Sequence, residues 1–413
     1  MGEIQHELMP RGNPGEPFIR RVRIRNYKSL GKCDIQLRPL TILVGRNGSG
    51  KSNFLDTLRF VAESLKGSLD HAIKARGGID AVRRRSTGHP RNFAIELEMA
   101  LPDWHEARYG FEIGARPRGG FVVKREYLKV FKANSNLAAE YSVREGTLVS
   151  QSENMPPVSP DRLYLVVAAG LPAFRQVYDQ LTSMGFYNLN PDAMKELQSP
   201  DAGDLLHRDG SNIASVIARL GSDQPQVKDR IRSHLCTIVP GVTDVDRVSL
   251  GPRETLEFRQ EIAGSDLPWK FYAASMSDGT LRALGTLVAV TQLADRTHPA
   301  SLIGIEEPET ALHPAAAGAL MDSLQEAATR TQILLSTHSP DLLDQLDPAT
   351  TGLLVAQARQ GTTEIASADA ASLQSIRNHL YTAGELLRMD QLQPDSEDLR
   401  RQLEIDFGDE GDL

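Results

Sequence analysis

The sequence predicts an α/β protein with a parallel core sheet, an antiparallel β-subdomain and a mainly helical insertion. Three observations lead there. The apolar stretch 40–44 runs into a glycine-rich turn and then into residues with helical spacing. Two later apolar stretches, 302–305 and 331–335, each end in polar residues, as buried parallel strands do. Residues 93–149 alternate apolar and polar positions, with Gly and Pro at the links, which is the pattern of an antiparallel meander.

Residues 1–17 carry Gly, Pro and charge without periodicity and are expected to be a disordered leader. Structure should begin at Phe18, where Val22 and Ile24 alternate with Arg21, Arg23 and Arg25 as in a half-buried strand. Strands 35–37 and 40–44 follow; the second is apolar except for Thr41 and is expected to be central. From Ser52 onward, Phe54, Leu55, Leu58, Val61, Ala62 and Leu65 keep helical spacing, so a helix follows the turn directly. Residues 163–169 read as another buried strand, and residues 18–169 form the expected N-terminal lobe. Residues 170–245, broken at Asn190-Pro191 and Ser199-Pro200, read as a helical insertion or arm. A C-terminal lobe is expected over 246–392, and the acidic stretch 393–413 as a solvated, mostly disordered tail. There is no internal repeat and no heptad run.

The chain has 413 residues and a net charge of −8. Residues 1–150 hold 26 Lys and Arg against 16 Asp and Glu, and the remainder 20 against 38, so the N-terminal part is basic and the rest acidic. Uniform coating of DNA is excluded by that balance, while a local basic surface is not. No apolar run is long enough to cross a bilayer and the N-terminus lacks a signal-peptide core, so a cytoplasmic protein is expected. Cys33 and Cys236 are too few for a disulfide framework, and His234 beside Cys236 does not make a metal site.

Four short motifs carry the chemistry. Residues 45–52, GRNGSGKS, match the P-loop pattern in the strand–loop–helix context it needs. The residues expected to hold nucleotide are Arg46, Asn47, Gly48, Ser49, Gly50, Lys51, Ser52 and Asn53. Backbone N–H groups would cradle phosphate, Lys51 would reach the β- and γ-phosphates of ATP, and Ser52 would ligate Mg²⁺. Strand 302–305 ends in Glu306 and Glu307; one carboxylate suits the Mg²⁺ sphere and the other the polarising of a water, and we assign Glu306 and Glu307 in that order. His338, just past strand 331–335, can hydrogen-bond a γ-phosphate. Ser277, Asp278, Gly279 and Thr280 open a second helix whose N-terminus suits an anion. Two such helices do not fit on one γ-phosphate, so this one is expected to serve the ATP of a second copy of the chain.

These residues resemble the ABC-type ATPases of the SMC, RecF and OLD group, in particular its small AAA-family members. FIRRVRIRNYKSL at 18–30 is similar to that group's first strand, 276–280 to its signature motif, and IEEPETALHP at 305–314 to Walker B followed by the D-loop, with 310–313 in the D-loop place. RDGSN at 208–212 also belongs to the resemblance, which spans most of 18–355. It implies a P-loop NTPase of the ABC-type ATPase-head fold, ATP and Mg²⁺ as cofactors, and trans contacts from Ser277 and Gly279. Two features depart from the pattern. Glu306 stands where an aspartate is usual, and the only glutamine between Ser52 and Tyr164 is Gln151, too far along for a Q-loop. Asp80, Arg83–Arg85 or His89 are the candidates for that link. Only 75 residues follow His338, so no TOPRIM nuclease is expected in this chain.

The resemblance implies an ATP-hydrolysing homodimer that sandwiches two ATPs and switches a separate effector, a nuclease or toxin, in bacterial antiphage defence. The first rival is a RecF- or SMC-like clamp in DNA repair or maintenance, with Arg20, Arg21, Arg23, Arg25, Lys28, Arg83–Arg85 and Arg91 contacting DNA phosphates. A transporter subunit conflicts with the missing Q-loop and the SMC-like opening, and co-purification with a membrane protein would revive it. A GTPase or small-molecule kinase would leave the SDGT motif and His338 without roles.

Overall fold

The computed structural model describes residues 16–86, 90–101, 105–116, 119–151, 155–294 and 300–405. The first strands are β1 (Ile19–Tyr27), β2 (Leu30–Gln36) and β3 (Leu40–Val44), followed by α1 (Lys51–Lys66), α2 (Leu69–Lys74) and α3 (Ile79–Val82). The meander comprises β4 (Asn92–Ala100), β5 (Glu106–Ala115), β6 (Phe121–Phe131), β7 (Leu137–Arg144) and β8 (Thr147–Gln151). Next come α4 (Leu165–Ala168), α5 (Pro172–Thr182), β9 (Gly185–Tyr187), α6 (Pro191–Lys195), α7 (Ile213–Asp223) and α8 (Pro225–Ile238). A small antiparallel sheet, β10 (Val242–Leu250), β11 (Arg253–Gln260) and β12 (Trp269–Tyr272), leads to α9 (Asp278–Ala294). The remainder is β13 (Leu302–Glu306), α10 (Ala317–Ala328), β14 (Gln332–Thr337), α11 (Pro340–Leu343), β15 (Thr351–Arg359), β16 (Thr362–Ser367), α12 (Ala370–Arg377), α13 (Ala383–Arg388) and α14 (Ser396–Glu404).

The main sheet runs β8-β7-β6-β5-β4-β1-β2-β16-β15-β3-β14-β13-β9. It is mixed: the meander half is antiparallel, whereas β15, β3, β14, β13 and β9 pair in parallel. The expected parallel core and antiparallel subdomain therefore share one continuous sheet. Alternate residues of the parallel strands feed two cores. Leu43, Leu302 and Leu334 join Phe54, Leu58 and Val61 of α1 on one face; Ile42, Ile303 and Ile333 join α7, α8, α9 and α10 on the other. Burial on both faces explains why these strands read as unbroken apolar runs.

Three expectations differ from the structure. Residues 163–169 are not a strand: the buried Glu126 carboxylate accepts the backbone N–H groups of Tyr164 and Leu165, which starts the helical turn α4 instead. Residues 170–245 are mainly helical, but they do not stand off as an arm. Their short strand β9 pairs with β13, and α7 and α8 pack into the core beside α9. The acidic tail is not loose along its first part. Asp395 caps α14, Gln402 is buried and donates to the carbonyls of Asp34 and Ile365, and Lys32 Nζ donates to Leu403 O at 2.7 Å. Residues 406–413, and residues 1–15 of the leader, lie outside the described residues.

Candidate nucleotide site

The register of the parallel strands sets the site. Leu43 of β3 pairs with Ser336 of β14, which pairs with Glu306 of β13, so the loops after all three leave from one edge. After β3 the chain turns through residues 45–50 and enters α1 at Lys51. Gly50 holds φ +99°, and a Cβ there would lie 2.0 Å from Thr363 Oγ1, so only glycine fits. Lys51 is buried; its Nζ donates to Gly45 O at 2.7 Å and Arg46 O at 3.2 Å, and lies 3.9 Å from Glu307 Oε1. Burial pulls its pKa down, against the charges of Glu307 and Glu309.

Glu307 holds φ +46°, and its N–H donates to Ser336 O at 2.9 Å, which fixes the turn after β13. Its Oε1 also lies 3.3 Å from His338 Nδ1. The structure thus brings Lys51 at the start of α1 together with Glu307 and His338 from the loops after β13 and β14. Glu306, at the end of β13, is engaged by Arg208, accepting from its Nη2 at 2.9 Å.

Of the other P-loop residues, Arg46, Asn47, Gly48 and Ser52 are exposed and Ser49 is buried. Asn53 turns inward and donates to Ser29 Oγ at 2.7 Å, and Ser29 in turn bonds Thr363 Oγ1 at 2.6 Å. Arg46 lies 3.3 Å from Asp390.

The residues present fit an anion with a cation. Among the described residues, the buried oxygens Ser49 Oγ, Ser336 Oγ and Glu309 Oε2 have no hydrogen-bond partner, and Lys51 offers its charge to backbone carbonyls. No cluster of three or more His, Cys, Asp or Glu able to hold a metal occurs among the described residues. A Mg²⁺ ion here would therefore rely on Ser52, one carboxylate and phosphate oxygens, the usual way it is held beside nucleotides.

The signature-like turn makes contacts of its own. Ser277 and Asp278 are exposed. Ser277 Oγ accepts from Thr280 N at 3.1 Å, and Asp278 pairs with Lys195. Gly279 abuts the 310–312 segment: a Cβ on it would lie 2.2 Å from Ala311 O.

Two residues of the site escaped the sequence reading. Arg208 sits in the RDGSN stretch, but nothing local links it to Glu306. Glu309, the last acid of IEEPE, is buried and bonded by Thr337 Oγ1, and desolvation raises its pKa. Among the Q-loop candidates, Asp80 binds Arg83 and the backbone of Asp80 binds Arg85, while Arg84 reaches Thr362, next to the Thr363 that touches the P-loop. His89 lies outside the described residues, and Gln151 ends β8 at the far edge of the sheet.

Most cations offered for DNA contact are already engaged. Arg20 pairs with Glu16 and Glu106, Arg21 with Asp34 at 2.6 Å, Arg23 with Glu96 at 3.6 Å, Arg25 with Glu112 at 2.9 Å and Lys28 with Asp56 at 2.6 Å. No described helix is long and apolar enough to cross a membrane.

The family described as "AAA domain, putative AbiEii toxin, Type IV TA system" matches residues 200–344, and the AAA ATPase domain family matches residues 18–108. The chain is 36% identical over 87 residues to a DNA replication and repair protein RecF of Gloeobacter violaceus, covering 20% of this chain and 23% of that protein. It is 23% identical over 362 residues to an OLD nuclease of Thermus scotoductus, covering 79% of this chain and 60% of that protein. The chain thus spans less than two thirds of either relative. The fold is similar to an Smc head bound to the C-winged helix domain of ScpA, with TM-score 0.52, 15% identity and coverage of 86% of this chain and 99% of that one. A second Smc head, from Pyrococcus furiosus, gives TM-score 0.50 at 14% identity, covering 88% and 99%. The two AAA-type family matches, the RecF and OLD relatives and the Smc-head fold together support an ABC ATPase of the SMC/RecF/OLD type.

Proposed function

We propose that the protein is an ATP-hydrolysing, dimeric switch that governs a separate effector. The observation that carries this is the split site. Lys51, Glu307 and His338 meet at one sheet edge, while the Ser277 turn is exposed and makes its own contacts with Thr280, Lys195 and the 310–312 segment. A helix N-terminus left open in this way suits the phosphate of a second copy. In this reading residues 45–52 and Lys51 bind the phosphates of ATP, and Ser52 and Glu306 hold Mg²⁺. Glu307 polarises the attacking water, and His338 positions Glu307 and reports the γ-phosphate. Bound Mg²⁺ would supply charge neutralisation of the phosphates. Ser277, Asp278, Gly279 and Thr280 would close over the partner's nucleotide, and hydrolysis would release the clamp.

The family described by an AbiEii toxin and the OLD nuclease relative support a nuclease or toxin as the effector, in bacterial antiphage defence. The RecF relative keeps a DNA clamp in view, but the ion pairs along β1 leave few cations of that strand for phosphate. Mass photometry of Glu307→Gln with Mg²⁺ and ATP, with and without short duplex DNA, separates the two. An ATP-dependent dimer indifferent to DNA supports the effector switch. A dimer that needs DNA and dissolves as salt rises supports the clamp, and a monomer under all conditions sinks both.

A further inference from the structure

Arg208 occupies the carboxylate assigned above to the metal. Its Nη2 lies 2.9 Å from Glu306 Oε1; the arginine side chain is 44% exposed and the glutamate 17%. The side chain can therefore swing, but the backbone behind it is fastened. Asn188 N and Asn190 N donate to the carbonyls of Arg208 and Asp209 at 2.9 Å each. The buried Asn212 accepts from His207 N at 2.8 Å and donates to Asp201 and to Leu205 O at 2.9 Å. The same segment is tied to the helix behind the Ser277 turn. Gln292 of α9 accepts from Leu206 N at 3.1 Å and donates to Asp204 O at 2.9 Å. Lys195 pairs with Asp278 in the first turn of α9. Residues 188–212 thus touch both halves of the split site.

A guanidinium and a divalent cation cannot share one largely buried carboxylate oxygen without strong mutual repulsion. We propose that Arg208 is a displaceable counter-ion. It holds Glu306 until Mg²⁺ arrives with the nucleotide, and its release is passed through residues 188–212 to the turn at Ser277. The proposal rests on reading Glu306 as a ligand of that cation. It makes Arg208 a positioning residue, and it gives this chain a link between nucleotide state and signature turn that does not need a Q-loop glutamine.

The test titrates Mg²⁺ against binding of a fluorescent ATP analogue to the full chain. Losing one charge-assisted competitor should lower the half-saturating Mg²⁺ of Arg208→Ala about three- to tenfold, with Arg208→Lys close to the parent. Hydrogen exchange at the start of α9 should change on adding Mg²⁺ and analogue to the parent, and change less in Arg208→Ala. An unmoved or raised Mg²⁺ midpoint overturns the counter-ion role, as does weakened analogue binding that lysine fails to restore. Equal changes at α9 in both proteins overturn the relay. Lys51→Ala keeps the two readings distinct. If it binds the analogue like the parent, the nucleotide-site assignment itself fails. If it loses binding while the Arg208→Ala midpoint stays put, only the role of Arg208 falls.

Discussion

The carboxylate oxygen Oε1 of Glu307 lies 3.3 Å from Nδ1 of His338, although the two residues leave different strands, β13 and β14. The turn that presents Glu307 is held by its own N–H on Ser336 O, so the acid is aimed by backbone as well as by imidazole.

Glu307→Gln keeps the shape of this side chain and removes its basicity. Hydrolysis should fall about 10²- to 10⁴-fold, the share a positioned general base contributes. ATP binding should persist and a dimer should accumulate. Phosphate release and mass photometry on one preparation measure both. Turnover near the parent rate would remove Glu307 from the chemistry.

Lys51 should behave differently. Its ammonium is buried against the carbonyls of Gly45 and Arg46, and burial lowers its pKa. Lys51→Ala takes away a desolvated cation, so the nucleotide-free protein should melt no lower than the parent. The stabilisation from ATP, about 2.7 kcal/mol at a hundredfold excess over Kd, should vanish. A variant that is still stabilised by ATP would place the phosphates elsewhere.

The parts that were legible in sequence are those whose cause is local. The strand 40–44, its glycine turn and α1 declare themselves by period and by Gly50, whose φ +99° no other residue adopts comfortably. The acids of β13 and His338 were legible because parallel strands end at one edge. What failed was nonlocal. Residues 163–169 have strand-like composition, but their backbone donors are taken by Glu126, 38 residues from Tyr164. The strand β9 is only three residues long, which is too short for a period. The ion pair of Arg208 with Glu306 spans 98 residues, and the tail helix α14 buries essentially Gln402 alone under a charged surface.

Glu126 makes a stability prediction with a definite sign. It is fully buried among Tyr109, Tyr141 and the N–H groups of Tyr164 and Leu165, and desolvation outweighs these bonds, raising its pKa to about 7. In the unfolded chain the same group titrates near 4.3, as an ordinary glutamate does. Between these values the folded state keeps a proton that the unfolded state has lost. Its contribution is therefore full below the unfolded pKa and is lost as pH rises towards 7. Denaturant midpoints at several pH values should show that decline in the parent and a flatter profile in Glu126→Gln. Equal slopes in the two proteins would mean that the fold does not raise the pKa of Glu126.

The turn at Ser277 offers a separation of stability from assembly. Ser277 is exposed, and its hydroxyl accepts from Thr280 N at 3.1 Å, so Ser277→Arg should cost about 1 kcal/mol of stability through the lost cap. The bulky cation would also meet whatever approaches the open helix end, so ATP-dependent dimerisation should disappear while each chain still binds nucleotide at its own P-loop. Gly279→Ala acts from the buried side: its Cβ would lie 2.2 Å from Ala311 O, a backbone atom, and forcing that contact should cost about 1–3 kcal/mol. Thermal melts and mass photometry on both variants distinguish the effects. If Ser277→Arg dimerises with ATP like the parent, the turn does not face a second nucleotide, and the closed sandwich must be built from another surface.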